Sequence, residues 1–264
     1  MIKSNIRKFI FGDLRNVKGY IDPPDALVFL SILERQRERG LGGGIAEIGV
    51  YFGRSYFLLK KIASPDDRVF GIDLFDIGEI SDGISEQYRS FLDNGERLGL
   101  PVDEDLLFVG DSAELTPDDI VNKIGKVRFF SVDGGHMLPN LAADSRLARK
   151  TLEDHGVIVF DDTFNPAWPE VTVGVADFLR NNDDEFSAFC MTKYKTYVCR
   201  REFHDFYRAA IMRAPHLRPF ELAETHFLGS DAVRLHNPFG RRLLYEFMTR
   251  SGMGAFSERA YRHH

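Results

Sequence analysis

Four polar residues follow two apolar runs in the middle of the chain and could support acid–base or metal chemistry. The run FFSV is followed by Asp133 and then His136, and the run GVIVF is followed by Asp161 and Asp162. Carboxylates at the ends of buried strands must be paired or hold a cation, because an isolated buried charge is very costly. Three carboxylates make the oxygen-rich type of site that Mg²⁺ prefers, and a histidine beside them can take a proton near neutral pH.

The same residues also have a purely structural interpretation. An Asp-Asp pair before Thr-Phe-Asn-Pro can cap a turn, and a loop histidine can simply bond to the backbone. Turn capping is the better explanation for an isolated pair of this kind. The presence of Asp133 and His136 at the end of a neighbouring predicted strand favours a chemical site instead.

Seven β-rich runs alternate with helical stretches and would position these side chains. The predicted strands are 45–49, 68–73, 106–111, 127–133, 156–161, 186–191 and 196–200, and the predicted helices are 54–63, 85–99, 117–125, 138–154 and 171–181. This alternation predicts an α/β fold with a mostly parallel sheet and helices on both faces. The last two strands are too close in sequence for a crossover, so we expect an antiparallel hairpin there.

Three segments are expected along the chain. Residues 1–44 form an N-terminal helical extension, 45–200 form the α/β domain, and 201–264 form a C-terminal extension packed on the core. The last segment is rich in Arg, His and Phe but has little periodicity. A homo-oligomer formed through the two extensions is compatible with this organisation.

The composition limits the classes of partner and compartment. The chain has 264 residues, a net charge of −6 and 44% hydrophobic residues, which favours neither nucleic acid nor an anionic membrane surface as partner. No run approaches the ~18 apolar residues of a membrane span. The basic N-terminus lacks the apolar core of a signal peptide. Cys190 and Cys199 are the only cysteines, and free buried thiols in a reducing cytoplasm are preferred over a bond across the predicted hairpin.

The first strand-to-helix turn, EIGVYFGRS, indicates the kind of ligand that the sheet binds. Gly49 and Gly53 surround bulky residues, so the G-x-G-x-x-G pattern of dinucleotide sites is missing. Glu47 in the strand would repel a diphosphate. Both departures argue against NAD and suit a ligand without phosphate that carries positive charge, such as S-adenosylmethionine. A glycine pair of this spacing occurs about as often in a turn without a ligand.

The next strand ends add residues in the order that a nucleoside requires. Asp73 lies about 20 residues beyond the glycine turn, where a carboxylate can accept hydrogen bonds from ribose hydroxyls. Asp111 and Ser112 follow the third predicted strand and could reach the adenine edge. Taken alone, Asp111 is better explained as a helix N-cap. The ordered series favours the cofactor.

These motifs resemble the class I S-adenosylmethionine-dependent methyltransferases and, more closely, the macrocin-type, metal-dependent sugar O-methyltransferase branch. The resemblance rests on EIGVYFGRS, GIDLFD, GDS and VDGGH…VIVFDD and covers about residues 40–200. It implies a Rossmann-like seven-stranded sheet with an antiparallel C-terminal hairpin. It also implies three sets of site residues: cofactor-binding Glu47, Gly49, Tyr51, Gly53, Ser55, Asp73, Asp111 and Ser112; metal-binding Asp133, Asp161 and Asp162; and catalytic His136 with Asp133.

The function expected from this reasoning is O-methylation of a small hydroxylated acceptor, a sugar or glycosylated metabolite, with Mg²⁺ or another divalent cation and His136 as base. Three alternatives stay open: a metal-independent methyltransferase, another enzyme on this scaffold such as a hydroxylase, and a non-catalytic S-adenosylmethionine-binding protein. Trp168 is either a wall for a sugar or a packing residue.

Overall fold

A computed structural model describes residues 4–253 of the chain. Its strands are β1 Gly44–Ile48, β2 Val69–Asp73, β3 Ile80–Ser81, β4 Ile84–Ser85, β5 Leu107–Val109, β6 Val127–Val132, β7 Leu152–Phe160, β8 Phe186–Met191, β9 Thr196–Arg200, β10 Phe220–Phe227 and β11 Ser230–Pro238. Its α-helices are α1 Ser4–Phe11, α2 Pro23–Glu38, α3 Arg54–Ile62, α4 Glu86–Leu98, α5 Pro117–Ile124, α6 Leu138–Thr151, α7 Pro169–Asn181, α8 His204–Arg213 and α9 Phe239–Arg250. The seven strands and five helices predicted between 45 and 200 are all present.

One large sheet organises the molecule, with the strand order β10-β11-β8-β9-β7-β6-β1-β2-β5. Strands β7, β6, β1, β2 and β5 are parallel to their neighbours in this series, whereas β9 is antiparallel to both β7 and β8. The predicted α/β fold and its C-terminal hairpin are therefore confirmed.

The sheet has two strands more than the seven predicted. The hairpin of β10 and β11 extends the sheet, with β11 parallel to β8. Side chains of β10 are only partly buried or exposed, so the segment lacks the apolar pattern from which an inner strand can be predicted.

Helices cover both faces of the sheet, which explains why its central strands are apolar at nearly every position. On one face the core contains side chains of α2, α3 and α8, and on the other it contains side chains of α5, α6 and α7. The neighbours Phe129 and Phe130 of β6 belong to opposite faces. Cys190 and Cys199 are buried and free, as predicted. No helix between residues 4 and 253 combines the length and apolarity needed to cross a membrane.

The N-terminal extension contributes to this core. Most side chains of α2 from Asp25 to Leu33 are buried, and Phe29 packs edge-on against Phe129 at 4.8 Å between ring centroids. Two hydrogen bonds also join Gln36 to Arg128 in β6. The helix consequently brings its first turn, with Asp25, to the edge where the parallel strands end.

Candidate active site

A cavity of about 780 Å³ opens at the edge where the parallel strands end. Its walls come from the turn after β1, the segments after β2, β5, β6 and β7, and the turn before β9. Residues 19–22 of the N-terminal extension also line it, and Tyr20 stacks on Tyr51 with ring centroids 6.2 Å apart. Open parallel sheets bind ligands at this edge.

Most of the predicted site residues meet in this cavity. Ten of the twelve line it: Gly49, Tyr51, Ser55, Asp73, Asp111, Ser112, Asp133, His136, Asp161 and Asp162. Glu47 and Gly53 do not. Gly53 has a φ of +95° at the start of α3, and an added Cβ would lie 2.4 Å from the Phe57 ring, so packing alone accounts for that glycine.

Gly49 brings β1 and β6 together at the cavity. Its φ is +85°, and an added Cβ would lie 1.8 Å from the carbonyl oxygen of Asp133. Only glycine allows this approach. The turn that was predicted to bind the cofactor thus also fixes the position of the Asp133 backbone.

Asp73 holds the loops on either side of it. Its Oδ2 accepts from the backbone N–H of Tyr51 at 2.7 Å, and its Oδ1 accepts from the N–H of Phe75 at 2.8 Å and from Nε2 of Gln87 at 3.1 Å. Burial raises the pKa of this carboxyl, and the three hydrogen bonds oppose that rise. A carboxylate has about four acceptor positions, so one on Oδ2 remains for a ribose hydroxyl.

Replacing Asp73 by alanine is expected to weaken S-adenosylhomocysteine binding about 10- to 100-fold, because the ribose loses a charged acceptor. Titration calorimetry measures the change. Asp93→Ala removes the same charge from an exposed position on α4 that does not line the cavity, and it should have a much smaller effect. Unchanged affinity in a folded Asp73→Ala variant contradicts the assignment.

Asp111 and Ser112 line the cavity just after β5. Asp111 lines it and also accepts from the N–H of Ala113 at 2.9 Å, capping a short 3₁₀ helix. Asp111 therefore both caps this 3₁₀ helix and lines the cavity. The Ser112 hydroxyl donates to buried Asp144 at 2.6 Å, which orients the serine and leaves its lone pairs as acceptors.

Glu47 is fully buried in β1, and neither carboxyl oxygen has a hydrogen bond of ordinary geometry among the described residues. Burial raises the pKa of this carboxyl to about 8, although the Ser55 and Ser131 hydroxyls and the Lys195 ammonium oppose the rise. Glu47 therefore carries a proton at neutral pH.

The residues predicted to bind metal and remove the proton separate into two groups. In the first, ligand atoms of Asp133, His136 and Asp162 all lie within 4.8 Å of one another. His136 Nε2 is 3.0 Å from Asp162 Oδ2, and Asn165 donates to Asp162 Oδ1 at 2.6 Å. Burial raises the pKa of Asp162, but these two hydrogen bonds outweigh it and lower the pKa below its ordinary value. His136 is bonded to a carboxylate rather than to the backbone.

The second group is a buried ion pair that the sequence analysis missed. Oδ2 of Asp161 accepts a hydrogen bond from Nζ of Lys195, whose side chain is only 4% exposed. Burial lowers the pKa of Lys195, but the charges of Asp161, Asp133 and Asp25 outweigh it and raise the pKa above its ordinary value. Lys195 therefore keeps its proton at neutral pH, and it lines the cavity beside Asp161.

Topology places this lysine beside the acid. Strand β9 runs antiparallel to β7, with Thr196 opposite Phe160. The residue before β9 then lies at the same edge as the residue after β7, so Lys195 meets Asp161. The sequence offers Lys193 and Lys195 equally, and only this register distinguishes the buried lysine from the exposed one.

The charges of this ion pair also affect the pKa of two further carboxyls, those of Asp133 and Asp25. Burial raises the pKa of Asp133 well above its ordinary range, and repulsion from Asp161 adds to the rise, while Lys195 opposes it. Burial likewise raises the pKa of Asp25 to about 6, opposed by Lys195 and by the Thr192 hydroxyl, which donates at 2.5 Å.

Trp168 forms the outer wall of the acidic half of the cavity. Its ring stacks on His136, with centroids 4.2 Å apart and planes 11° apart, and it is 42% exposed. It therefore fixes the plane of the imidazole and still presents a face to the cavity.

A family model described as a methyltransferase domain matches residues 46–163. This range includes all twelve predicted site residues. Residues 46–163 are therefore similar to a methyltransferase domain. The resemblance to class I methyltransferases predicted from the sequence is thereby confirmed. No curated protein matches the sequence of the chain significantly.

Several solved structures share the fold of this chain. The O-methyltransferase NovP matches with a TM-score of 0.55 and 15% identity over 67% of this chain and 80% of its own. CalS11, a TDP-rhamnose 3'-O-methyltransferase of calicheamicin biosynthesis, matches at 0.50 and 18% over 75% and 92%. An O-methyltransferase from Bacillus cereus with bound SAH matches at 0.50 and 19% over 75% and 90%. At such identities the likeness establishes the Rossmann-like fold.

Proposed function

We propose that the chain is an S-adenosylmethionine-dependent O-methyltransferase that acts on a hydroxyl of a small molecule, a sugar or a glycosylated metabolite. The observation that carries the proposal is that one cavity joins the Asp73 half, suited to a nucleoside, to the His136–Asp162 pair, suited to proton removal. A protein that only binds the cofactor has no use for the second half.

The hydrogen bond to Asp162 decides which atom of His136 takes the proton. Asp162 is ionised and can only accept. In the neutral imidazole Nε2 therefore carries the hydrogen, and Nδ1 is the free base. Asp162 then stabilises the imidazolium that forms, as the carboxylate does in a hydrolase triad.

S-adenosylmethionine supplies an electrophilic methyl group on its sulfonium. As the acceptor oxygen forms its bond to that carbon, the carbon–sulfur bond breaks and leaves a neutral thioether. The hydroxyl proton goes to His136 Nδ1, so charge and atoms balance. Alignment of this displacement is the main contribution of the protein.

The divalent cation predicted from the sequence fits two of its three expected ligands. Asp133 and Asp162 present oxygens beside His136, and a bound ion there would polarise the acceptor hydroxyl. Asp161 instead pairs with Lys195. That contact favours a second candidate, the same methyl transfer without a metal.

A sugar acceptor is supported by the exposed face of Trp168 in the acidic half of the cavity, because sugar rings stack on aromatic faces. The similar fold of CalS11, whose name records a TDP-rhamnose 3'-O-methyltransferase, is compatible with this class of acceptor.

The proposal is tested in two steps. Titration calorimetry should show S-adenosylhomocysteine binding, and mass spectrometry of glycosides incubated with S-adenosylmethionine should show a methylated product. Cofactor binding without a product across nucleotide sugars and glycosylated metabolites would support the non-catalytic alternative. Absence of S-adenosylhomocysteine binding to folded protein would refute the proposal.

A further inference from the structure

Lys195 stands where an acidic site would otherwise be open to a cation. Its ammonium is buried against Asp161, and the charges of Asp133 and Asp25 also act on it. Burying an amine of this size is very costly unless anions surround it. The lysine is thus built into the floor of the cavity rather than being a surface side chain that happens to reach it.

The Lys195 ammonium uses the same carboxylates that a metal ion would use. The divalent ion expected from the sequence would take an oxygen of Asp161 together with oxygens of Asp133 and Asp162. Lys195 already uses the Asp161 oxygen and adds one positive charge beside Asp133. Two cations held by neighbouring carboxylates inside a protein repel each other strongly. The ammonium and a divalent ion therefore compete for the same carboxylates.

We infer that Lys195 is the built-in cation of the acceptor site and that it replaces a divalent metal beside Asp161. The catalytic role rests on the proposed methyl transfer. One of the three N–H groups of the ammonium serves Asp161, and the side chain lines the cavity, so a second N–H can donate to the acceptor oxygen. The ammonium then stabilises the negative charge that grows on this oxygen as His136 takes its proton.

Metal titration of variants tests the inference without requiring an acceptor. Lys195→Met removes the charge but keeps an unbranched side chain, and it frees Asp161. We expect Mn²⁺, followed by calorimetry or by its paramagnetic resonance, to bind this variant at least tenfold more tightly than wild type. The double variant Lys195→Met with Asp161→Asn should lose the gain, and Lys195→Arg should show none.

Lys193→Met is the matched control. Lys193 lies on the same turn, is exposed, and packs its ammonium over the Tyr194 ring at 4.5 Å. The same change of net charge there should leave Mn²⁺ affinity within about twofold of wild type. An equal gain in this control would show a general charge effect and would overturn the inference.

Two other outcomes would overturn it: no gain of Mn²⁺ affinity in folded Lys195→Met, or wild-type turnover that is lost in chelator and restored by Mg²⁺. If Lys195→Met does not fold, the wild type and Asp161→Asn still decide, because metal binding to wild type that Asp161→Asn abolishes refutes the inference. S-adenosylhomocysteine titration of wild type separates these outcomes from failure of the proposed function, since absence of cofactor binding to wild type would refute that function whatever the metal affinities are.

Discussion

Replacing His136 by alanine is expected to slow methyl transfer about 10²- to 10⁴-fold, the usual scale for a positioned general base. S-adenosylhomocysteine affinity should stay nearly unchanged, because His136 lies in the acidic half of the cavity and Asp73 in the other. Single-turnover kinetics with a product-forming acceptor measures the first effect and calorimetry the second. The loss should appear in kcat, since the proton moves only during reaction.

Two comparisons separate a base from a residue that only shapes the cavity. His226→Ala removes an exposed histidine that pairs with Asp231 and should leave turnover unchanged. Asp162→Asn keeps the side-chain shape but no longer stabilises the imidazolium, so we expect it to lose less turnover than His136→Ala. In the double variant the two losses should not add, because the residues act as a pair. Wild-type turnover in His136→Ala would remove this residue from the mechanism.

The sequence was sufficient to predict the seven strands and five helices between residues 45 and 200 and most of the cavity lining, because each came from a local signal. Central strands of a parallel sheet are apolar throughout, and chemistry-bearing residues follow them at one edge. The prediction of Asp133, His136 and Asp162 as neighbours needed only the adjacency of β6 and β7, which the structure has.

Lys195 could not be found this way, because its position depends on register rather than pattern. A lysine in a hairpin turn is normally solvated. Its burial follows from the insertion of β9 between β7 and β8, which puts the start of β9 at the edge where β7 ends. The β10–β11 hairpin was missed for a related reason, since its side chains are only half-buried at the edge of the sheet.

A third limit of prediction from the sequence concerns the protonation state of the Glu47 carboxyl. The sequence interpretation used it as a negative charge near the cofactor ammonium. In the structure the whole side chain is buried without an ordinary hydrogen-bond partner among the described residues. Burial raises its pKa to about 8, so the neutral acid is the form present at physiological pH.

Replacing Glu47 by glutamine is expected to change how stability depends on pH. Below the ordinary pKa of 4.5, Glu47 is protonated in both states and its contribution to stability is fully present. As the pH rises from there to about 8, the unfolded chain loses the proton while the folded chain keeps it. The free energy of unfolding therefore falls by about 1.4 kcal/mol per pH unit, and the loss is complete above the folded pKa.

The glutamine variant has no proton to lose, so its stability relative to wild type should rise by ~2–3 kcal/mol between pH 6 and pH 8. Urea unfolding at several pH values measures this difference, in which the constant cost of burying an amide cancels. The exposed Glu114→Gln should show a flat difference. A flat difference for Glu47→Gln between pH 6 and pH 8 would contradict a raised pKa and would mean that Glu47 is already ionised in the folded protein at pH 6. In that case the carboxylate could attract the cofactor ammonium directly, whereas a neutral Glu47 can do so only by releasing its proton when the cofactor binds.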